Sequence, residues 1–483
     1  MLSEDHYLSI IRIAFGSILF VKVFFSIKCF DFHWAHISKK ERYVLKYLLI
    51  ALTFLSVCFT LGLFTFYVSL IIFLLFVYLW YKSSVYGLED IYFYGMILYM
   101  VLLSPDRISL DQLFTLPTYK LSLSYTPIPH ILLILHVTIT FYSGAIEKLS
   151  SNMWLKGLGV YNFFVFPSNR NFSLKFFSNK KKLMIFFNYA QFVSQFFFIF
   201  FIILFPLKFS NPFFLSTVIF IFFLITCFQF SWLAHCCLLM LIAPVYFLIN
   251  NQDLYMANLL YENILTINIY EQILVYFILF NCLLGFVTLT FNVYFLEKQS
   301  IRFQKILKFF KILPRLTLGF NNIRAFTELH LKNIFCYQLF YKNDSKDLIR
   351  LDHFYKDNGN PNIKKMWWLP TCYMTTKNKL IDITLELKVL GKISPSKKMY
   401  LDGWINYLNN KYNLNNQGEI IVKINKYIAP EGYIKSYEDQ ISDKMYEYCV
   451  IDVNKKEIKK IDFNIYNPED SGRYIRDNFG LIN

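Results

Sequence analysis

Charge is scarce in this chain. Lys, Arg, Asp and Glu make up 17% of its 483 residues, where a soluble globule carries about 25%. Signatures of common chemistry are missing as well. There is no phosphate-binding glycine loop, no G-x-S-x-G and no H-E-x-x-H, which excludes the usual routes to nucleotide hydrolysis, serine hydrolysis and zinc proteolysis. No C-x-x-C and no His-xxx-His pair is present, so no metal is predicted. The nine Cys are odd in number and irregularly spaced, which argues against a disulfide framework. No internal repeat is found. What the chain does have is apolar bulk: 56% hydrophobic residues, including 54 Phe. A soluble enzyme, a disordered scaffold and a secreted disulfide module are thereby excluded, and an integral membrane protein is indicated. The net charge of +16 then marks cytoplasmic loops and not a nucleic-acid surface.

The apolar density is uneven. Residues 1–300 hold 19 Lys and Arg, whereas residues 301–483 hold 30. This predicts a membrane domain over 1–297, a basic amphipathic connector over 298–325 and a soluble domain over 326–483. The first apolar run, 7–27, follows Glu4 and Asp5 and lacks a small-residue cleavage site. It is expected to be a first span and not a signal peptide.

A bilayer core of about 30 Å needs about 20 apolar residues per helix. Nine segments fit: 7–27, 45–61, 64–81, 90–104, 128–147, 183–207, 213–229, 232–250 and 271–294. Leu61-Gly62-Leu63 is the expected turn between two of them. The expected fold class is therefore a polytopic α-helical membrane bundle of about nine spans with a C-terminal α+β soluble region. Lys and Arg cluster in loops 28–46 and 148–182 and after residue 297. These fall on one side of a nine-span chain, so the N-terminus is expected outside the cell membrane and the C-terminal domain in the cytoplasm.

In the tail, residues 300–312 read as a basic amphipathic helix for the bilayer surface, stopped at Pro314. Residues 419–428 alternate like a strand. Residues 446–452 and 458–463, flanking Asn454-Lys455-Lys456, read as a hairpin. Asp357-Asn358-Gly359-Asn360-Pro361 reads as a loop. The run 455–460 is either a solvated face or a contact for anionic lipid.

Ionisable groups within spans are costly and mark candidate sites. Arg12 lies in the first span, and a pairing with Asp90 would relieve two buried charges. His130, His136, Glu147 and Lys148 belong to the fifth. Lys148 has two readings. A lysine at a helix end can snorkel to the headgroups. Held among apolar helices instead, its ammonium is disfavoured by desolvation, and the neutral amine can act as a base. Glu147 points about 100° away on a helix and need not be its partner. His235, followed by Cys236 and Cys237, is either a hydrogen-bonded core histidine or a catalytic one.

Several short pieces resemble one family in the right order. Ile11-Arg12-Ile13 with Gly16 resembles the opening of the HTTM domain, the membrane module of vitamin K-dependent gamma-carboxylases and their bacterial relatives. Ser109-Leu110-Asp111 resembles that family's S-[LV]-D element. Gly144-Ala145-Ile146-Glu147-Lys148-Leu149, then Trp154 and Gly157, resembles its "Y..aG..KL…W..G" block. His235 sits where the family carries a His before a conserved span. The resemblance covers residues 8–250. It implies a reduced quinone of the vitamin K or menaquinol type as cofactor, with Lys148 as the base on it and His235 orienting it. Asp90, His136 and Trp154 would line the cofactor pocket. In the carboxylases, oxygen then makes a basic alkoxide that removes a γ-proton from a peptide glutamate, and carbon dioxide traps the carbanion. Asp90 stands where the family usually has a His, and residues 301–483 do not resemble the carboxylase's substrate-binding region. The Lys, Asn, Ile and Phe bias suggests a bacterial, AT-rich genome.

Three functions fit these features. One is a lipid-quinol-dependent membrane carboxylase or oxygenase, possessing vitamin K-dependent gamma-carboxylase-like activity. The second is a non-enzymatic maturation or export factor whose tail binds a peptide client. The third is a structural or lipid-binding protein that keeps the scaffold alone. All three place the chain in a lipid bilayer, and none needs nucleic acid.

Overall fold

A computed structural model describes residues 4–28, 39–82, 88–149, 151–161, 180–215, 255–294, 310, 312–314, 316–320, 335–343, 347–351, 380–381, 383–388, 390–414, 417–426 and 446–465. The fold is mostly helical. The helices are α1 (Glu4–Lys28), α2 (Lys39–Leu61), α3 (Thr65–Lys82), α4 (Leu88–Leu103) and the single turn α5 (Leu110–Leu113). After these come α6 (Ile128–Leu149), the turn α7 (Asn152–Leu155), α8 (Lys181–Leu204), α9 (Met256–Ile264), α10 (Ile269–Tyr294) and α11 (Pro395–Tyr412). Five of them, α1, α2, α6, α8 and α10, are long and apolar enough to cross a membrane. Two more, α3 and α4, contain shorter apolar helices. Seven of the nine expected segments are thus helical. Segment 232–250 and nearly all of 213–229 lie outside the described residues.

The helices turn apolar side chains outward. Tyr47 is 70% exposed, Phe54 68%, Phe186 64% and Leu283 60%. An exposed apolar surface of this kind is costly in water and natural against lipid. The exception is α6. Its apolar window is 89% buried, against 28–44% for the other four spans, because α4, α8 and α10 all pack around it. A helix enclosed this way must satisfy its polar groups internally. Thr138 and Thr140 do so by donating to the carbonyls four residues back, Ile134 at 2.6 Å and His136 at 2.8 Å.

The expected turn at Leu61-Gly62-Leu63 joins α2 to α3. Three sequence pieces meet there. Asp111 accepts from the Phe64 amide at 2.7 Å, the Thr65 amide at 3.0 Å and the Thr65 hydroxyl at 3.2 Å. It thereby satisfies the open N-terminus of α3 from a distant loop. Arg12 donates to Thr65 Oγ1 at 3.4 Å and to the Ile108 carbonyl. Asp111 and Asp106 supply the negative charge around it. A Cβ at Gly62 would strike the Arg12 guanidinium, so only glycine allows this approach. Arg12 was expected to pair with Asp90. The Asp90 backbone opens α4 as expected, and its side chain lies outside the described residues.

The connector departs from expectation. Pro314 does not end its helix: residues 312–314 and 316–318 are helical, and the chain leaves the helix at Gly319 (φ +70°). Proline is compatible with a first helical turn, while glycine in the left-handed region is a usual helix end. The residues that follow Pro314 pack inward. Leu318 is 2% exposed and Phe320 5%, and both join the core formed by α4, α6 and α10. Of the expected surface helix over 300–312, only residues 310 and 312 are described, and Phe310 and Ile312 are both exposed, at 42% and 52%.

The C-terminal part is α+β. Its strands are β1 (Phe335–Lys342), β2 (Leu348–Arg350), β3 (Glu419–Lys426), β4 (Tyr446–Asp452) and β5 (Glu457–Ile461). They form one antiparallel sheet in the order β2-β1-β3-β4-β5. The expected strand is β3, and the expected hairpin is β4–β5 with Lys456 at φ +54°. β1 was not expected. Ile420, Val422 and Ile424 point to one core with Leu401, Trp404, Ile405 and Leu408 of α11. Loop 357–361 lies outside the described residues.

Candidate functional site

Lys148 closes α6 and is 7% exposed, so it does not snorkel to an open surface. Its Nζ donates to Gln195 Oε1 of α8 at 2.6 Å and lies 4.5 Å from the centre of the Trp154 ring. No ion pair joins Lys148 to a carboxylate among the described residues. The Glu147 side chain lies outside them.

The Trp154 ring is placed by its own loop and by α8. Gly157, at φ +77°, turns the chain back after α7. Gly159 then packs flat on the ring, where a Cβ would overlap it. Trp154 is therefore held between the lysine amine and a glycine backbone. Asn188 of α8 donates to the Trp154 carbonyl at 2.8 Å and accepts from the Val160 amide at 3.2 Å. Tyr189 donates to the Leu155 carbonyl at 2.6 Å. Gly157 of the sequence block and Gly159 beyond it thus position the tryptophan, and the tryptophan faces the lysine.

Sequence reasoning overlooked the other wall. Asn188, Gln191, Ser194 and Gln195 form a buried polar stripe on α8. The signal was present: three amides at spacings of three and four place themselves on one helical face. A search restricted to ionisable groups passed over them. Gln191 Oε1 and Ser151 Oγ are buried without a hydrogen-bond partner among the described residues. Buried polar atoms in this state are uncommon and point to a missing partner. A Cβ at Gly144, one turn before Lys148 on the same face, would meet no described atom within 4 Å.

His136 is elsewhere. It precedes Lys148 by twelve residues on α6, about 18 Å along the axis. It faces α4, α10 and the inserted connector, and its Nε2 lies 2.8 Å from the Leu318 carbonyl. Its ring lies away from Lys148 and lines a separate small cavity. His130 packs edge-on against Tyr99, with centroids 5.6 Å apart. His235 lies outside the described residues. Of the expected site residues, the fold brings Lys148 and Trp154 together and sets His136 apart. Among the described residues no group of three or more His, Cys, Asp or Glu is close enough to hold a metal.

Comparison with protein-family models, curated protein sequences and solved structures gave no match.

Proposed function

We propose that the chain is a nine-span membrane protein of the cell membrane, N-terminus outside and C-terminal domain cytoplasmic, that works on a reduced lipid quinone with Lys148 as base. The observation that carries this is the partner of Lys148. An amide oxygen accepts an N–H from an amine or from an ammonium, so Gln195 fixes the nitrogen in place without fixing its charge. A carboxylate partner would have locked the ammonium.

The residues around Lys148 suit a quinol. Trp154 offers a flat apolar face, and Gln191 Oε1 and Ser151 Oγ are polar atoms able to accept from hydroxyls. A bound quinol supplies acidic hydroxyls and reducing equivalents. Lys148 Nζ takes a hydroxyl proton, Gln195 orients Nζ, and the packed helices keep water out. The resemblance to the carboxylase membrane module points to the same lysine.

The test is Lys148→Met, which keeps the stem and removes the amine. Oxidation of reduced menadione by dissolved oxygen, the two-electron acceptor, is followed in membranes carrying full-length protein against protein-free membranes. Loss of the base is expected to slow turnover by about 10²–10⁴-fold with the protein still folded. Native turnover in Lys148→Met would remove the enzyme reading and favour a maturation factor with a peptide client.

A further inference from the structure

Residues 104–127 run from the end of α4 to the start of α6 and so mark one end of the bundle. Asp111 ties the α2–α3 turn to this end. Ser9 Oγ of α1 joins it by accepting from the Ile108 amide at 3.3 Å. Glu271, near the start of α10, accepts from the Ser122 amide at 2.8 Å, the Leu123 amide at 3.0 Å and the Ser122 hydroxyl. Asp111 and Glu271 are both buried, and each takes up two backbone amides of a connecting segment. Amides facing open water can be served by solvent. Where water is short they must be met from within.

The same end exposes large apolar side chains in two groups. Phe64, Tyr67, Leu113, Phe114 and Tyr119 form the first, with Leu113 at 71%. Tyr119 packs on Phe66 and Tyr67, centroids 4.7 and 6.4 Å apart. Tyr125, Tyr261, Leu265, Ile269 and Tyr270 form the second, with Tyr125 at 78% and Tyr270 at 81%. The first group continues the outward stripe of α2 and α3, where Phe54, Leu61, Ile71 and Leu74 are exposed as well. The stretch 255–270 has no Lys or Arg, and Glu262 is its one acidic residue.

The two groups stand on different sides of the bundle. α3 packs on α4 and α4 on α6, whereas α10 packs on α6 directly. A folded partner would cover one side. Side chains at one level on separate sides match a plane that surrounds the helices. Tyrosine suits the boundary of a bilayer, where its ring is apolar and its hydroxyl stays wet.

We propose that the two groups form a belt that seats this end of the bundle in the glycerol and carbonyl layer of a phospholipid leaflet. Parts of 104–127 and 255–270 then lie in the membrane boundary and not in open water, and Asp111 and Glu271 hold them at one level. The low charge of the belt makes a zwitterionic phospholipid a sufficient partner. The belt rests on the spans read above and is independent of Lys148.

The test uses full-length protein in nanodiscs of phosphatidylcholine. Phe114→p-benzoylphenylalanine and Tyr270→p-benzoylphenylalanine put a photo-cross-linker on each side, and Phe54→p-benzoylphenylalanine marks a face within a span. After irradiation, peptide masses are expected to shift by one phospholipid at all three positions. A shift at Phe54 that is missing at Phe114, at Tyr270 or at both overturns the belt and leaves the spans standing. Covalent dimers from Phe114 or Tyr270 in place of lipid adducts assign the surface to a second copy and overturn it too. No shift at any of the three overturns the spans and the belt together. Where a variant fails to fold, Leu113 replaces Phe114 and Tyr125 replaces Tyr270 as the labelled position, judged by the same criteria.

Discussion

The Lys148 amine and the Gln195 amide oxygen meet at 2.6 Å between α6 and α8, both side chains buried. A cation-capable nitrogen is thus held by a neutral group. Removing the acceptor strands the nitrogen. Gln195→Leu is expected to cost about 1–3 kcal/mol. The double variant with Lys148→Met should recover most of that loss, because neither partner then remains unpaired. Thermal unfolding in detergent of the four members of the cycle measures it. Additive losses would show that the two side chains do not depend on each other.

Asp111 satisfies the start of α3 through three hydrogen bonds from Phe64 and Thr65. Asp111→Ala leaves two amides and a hydroxyl without their acceptor and removes negative charge from beside Arg12. A loss of about 3 kcal/mol is expected, near the top of the range for such groups. Asp111→Asn, which keeps one acceptor oxygen, should lose less. Chemical denaturation of the solubilised protein ranks the two.

Two glycines near Lys148 in sequence, Gly144 and Gly159, should respond in opposite ways. Gly144→Ala meets no described atom within 4 Å and gains helix propensity of about 1 kcal/mol. Gly159→Ala collides with the Trp154 ring and must displace it from its place beside the Lys148 amine, or distort the loop that carries it. Melting temperature should rise for the first and fall for the second. Tryptophan emission should shift in Gly159→Ala alone.

The sheet carries a pH response of its own. The Lys455 amide donates to Asp452 Oδ1 at 2.9 Å, and Lys459 Nζ lies 3.1 Å from Oδ2. The amide first, and then Lys459, hold the Asp452 carboxyl below the usual carboxylate range. A carboxyl lowered in the folded state stabilises fully above its unfolded value, about 3.9. That contribution is lost as pH falls through the lower folded value. Protection of the β4–β5 hairpin against hydrogen exchange should therefore differ between the native chain and Asp452→Asn at about pH 7. The difference should begin to shrink as pH falls below about 3.9 and disappear once pH is below the lowered folded value. Equal protection of the two chains throughout would show that the carboxylate contributes nothing.

Much of this arrangement is readable from local pattern. Apolar runs of membrane length became α1, α2, α6, α8 and α10, since a run of that length cannot stay in water. The alternation of Ile420, Val422 and Ile424 became β3, and the turn chemistry at residues 454–456 closed β4 on β5. β1 escaped because Phe335–Lys342 has no clean alternation and is paired by a strand far along the chain. Helical backbone beyond Pro314, at residues 316–318, was not legible, because a proline also suits a first helical turn and local pattern does not tell the two uses apart.

The sequence by itself determined which residues would be removed from water, because hydrophobicity and period act over a few neighbours. It singled out Lys148 as a costly group in an apolar span, and Trp154 and Asp111 as parts of short motifs. Only the tertiary structure decided what they face. Gln195 lies 47 residues from Lys148, and Leu318 lies 182 residues from His136. Such pairings depend on how whole helices pack, and no local period encodes which helix lies opposite.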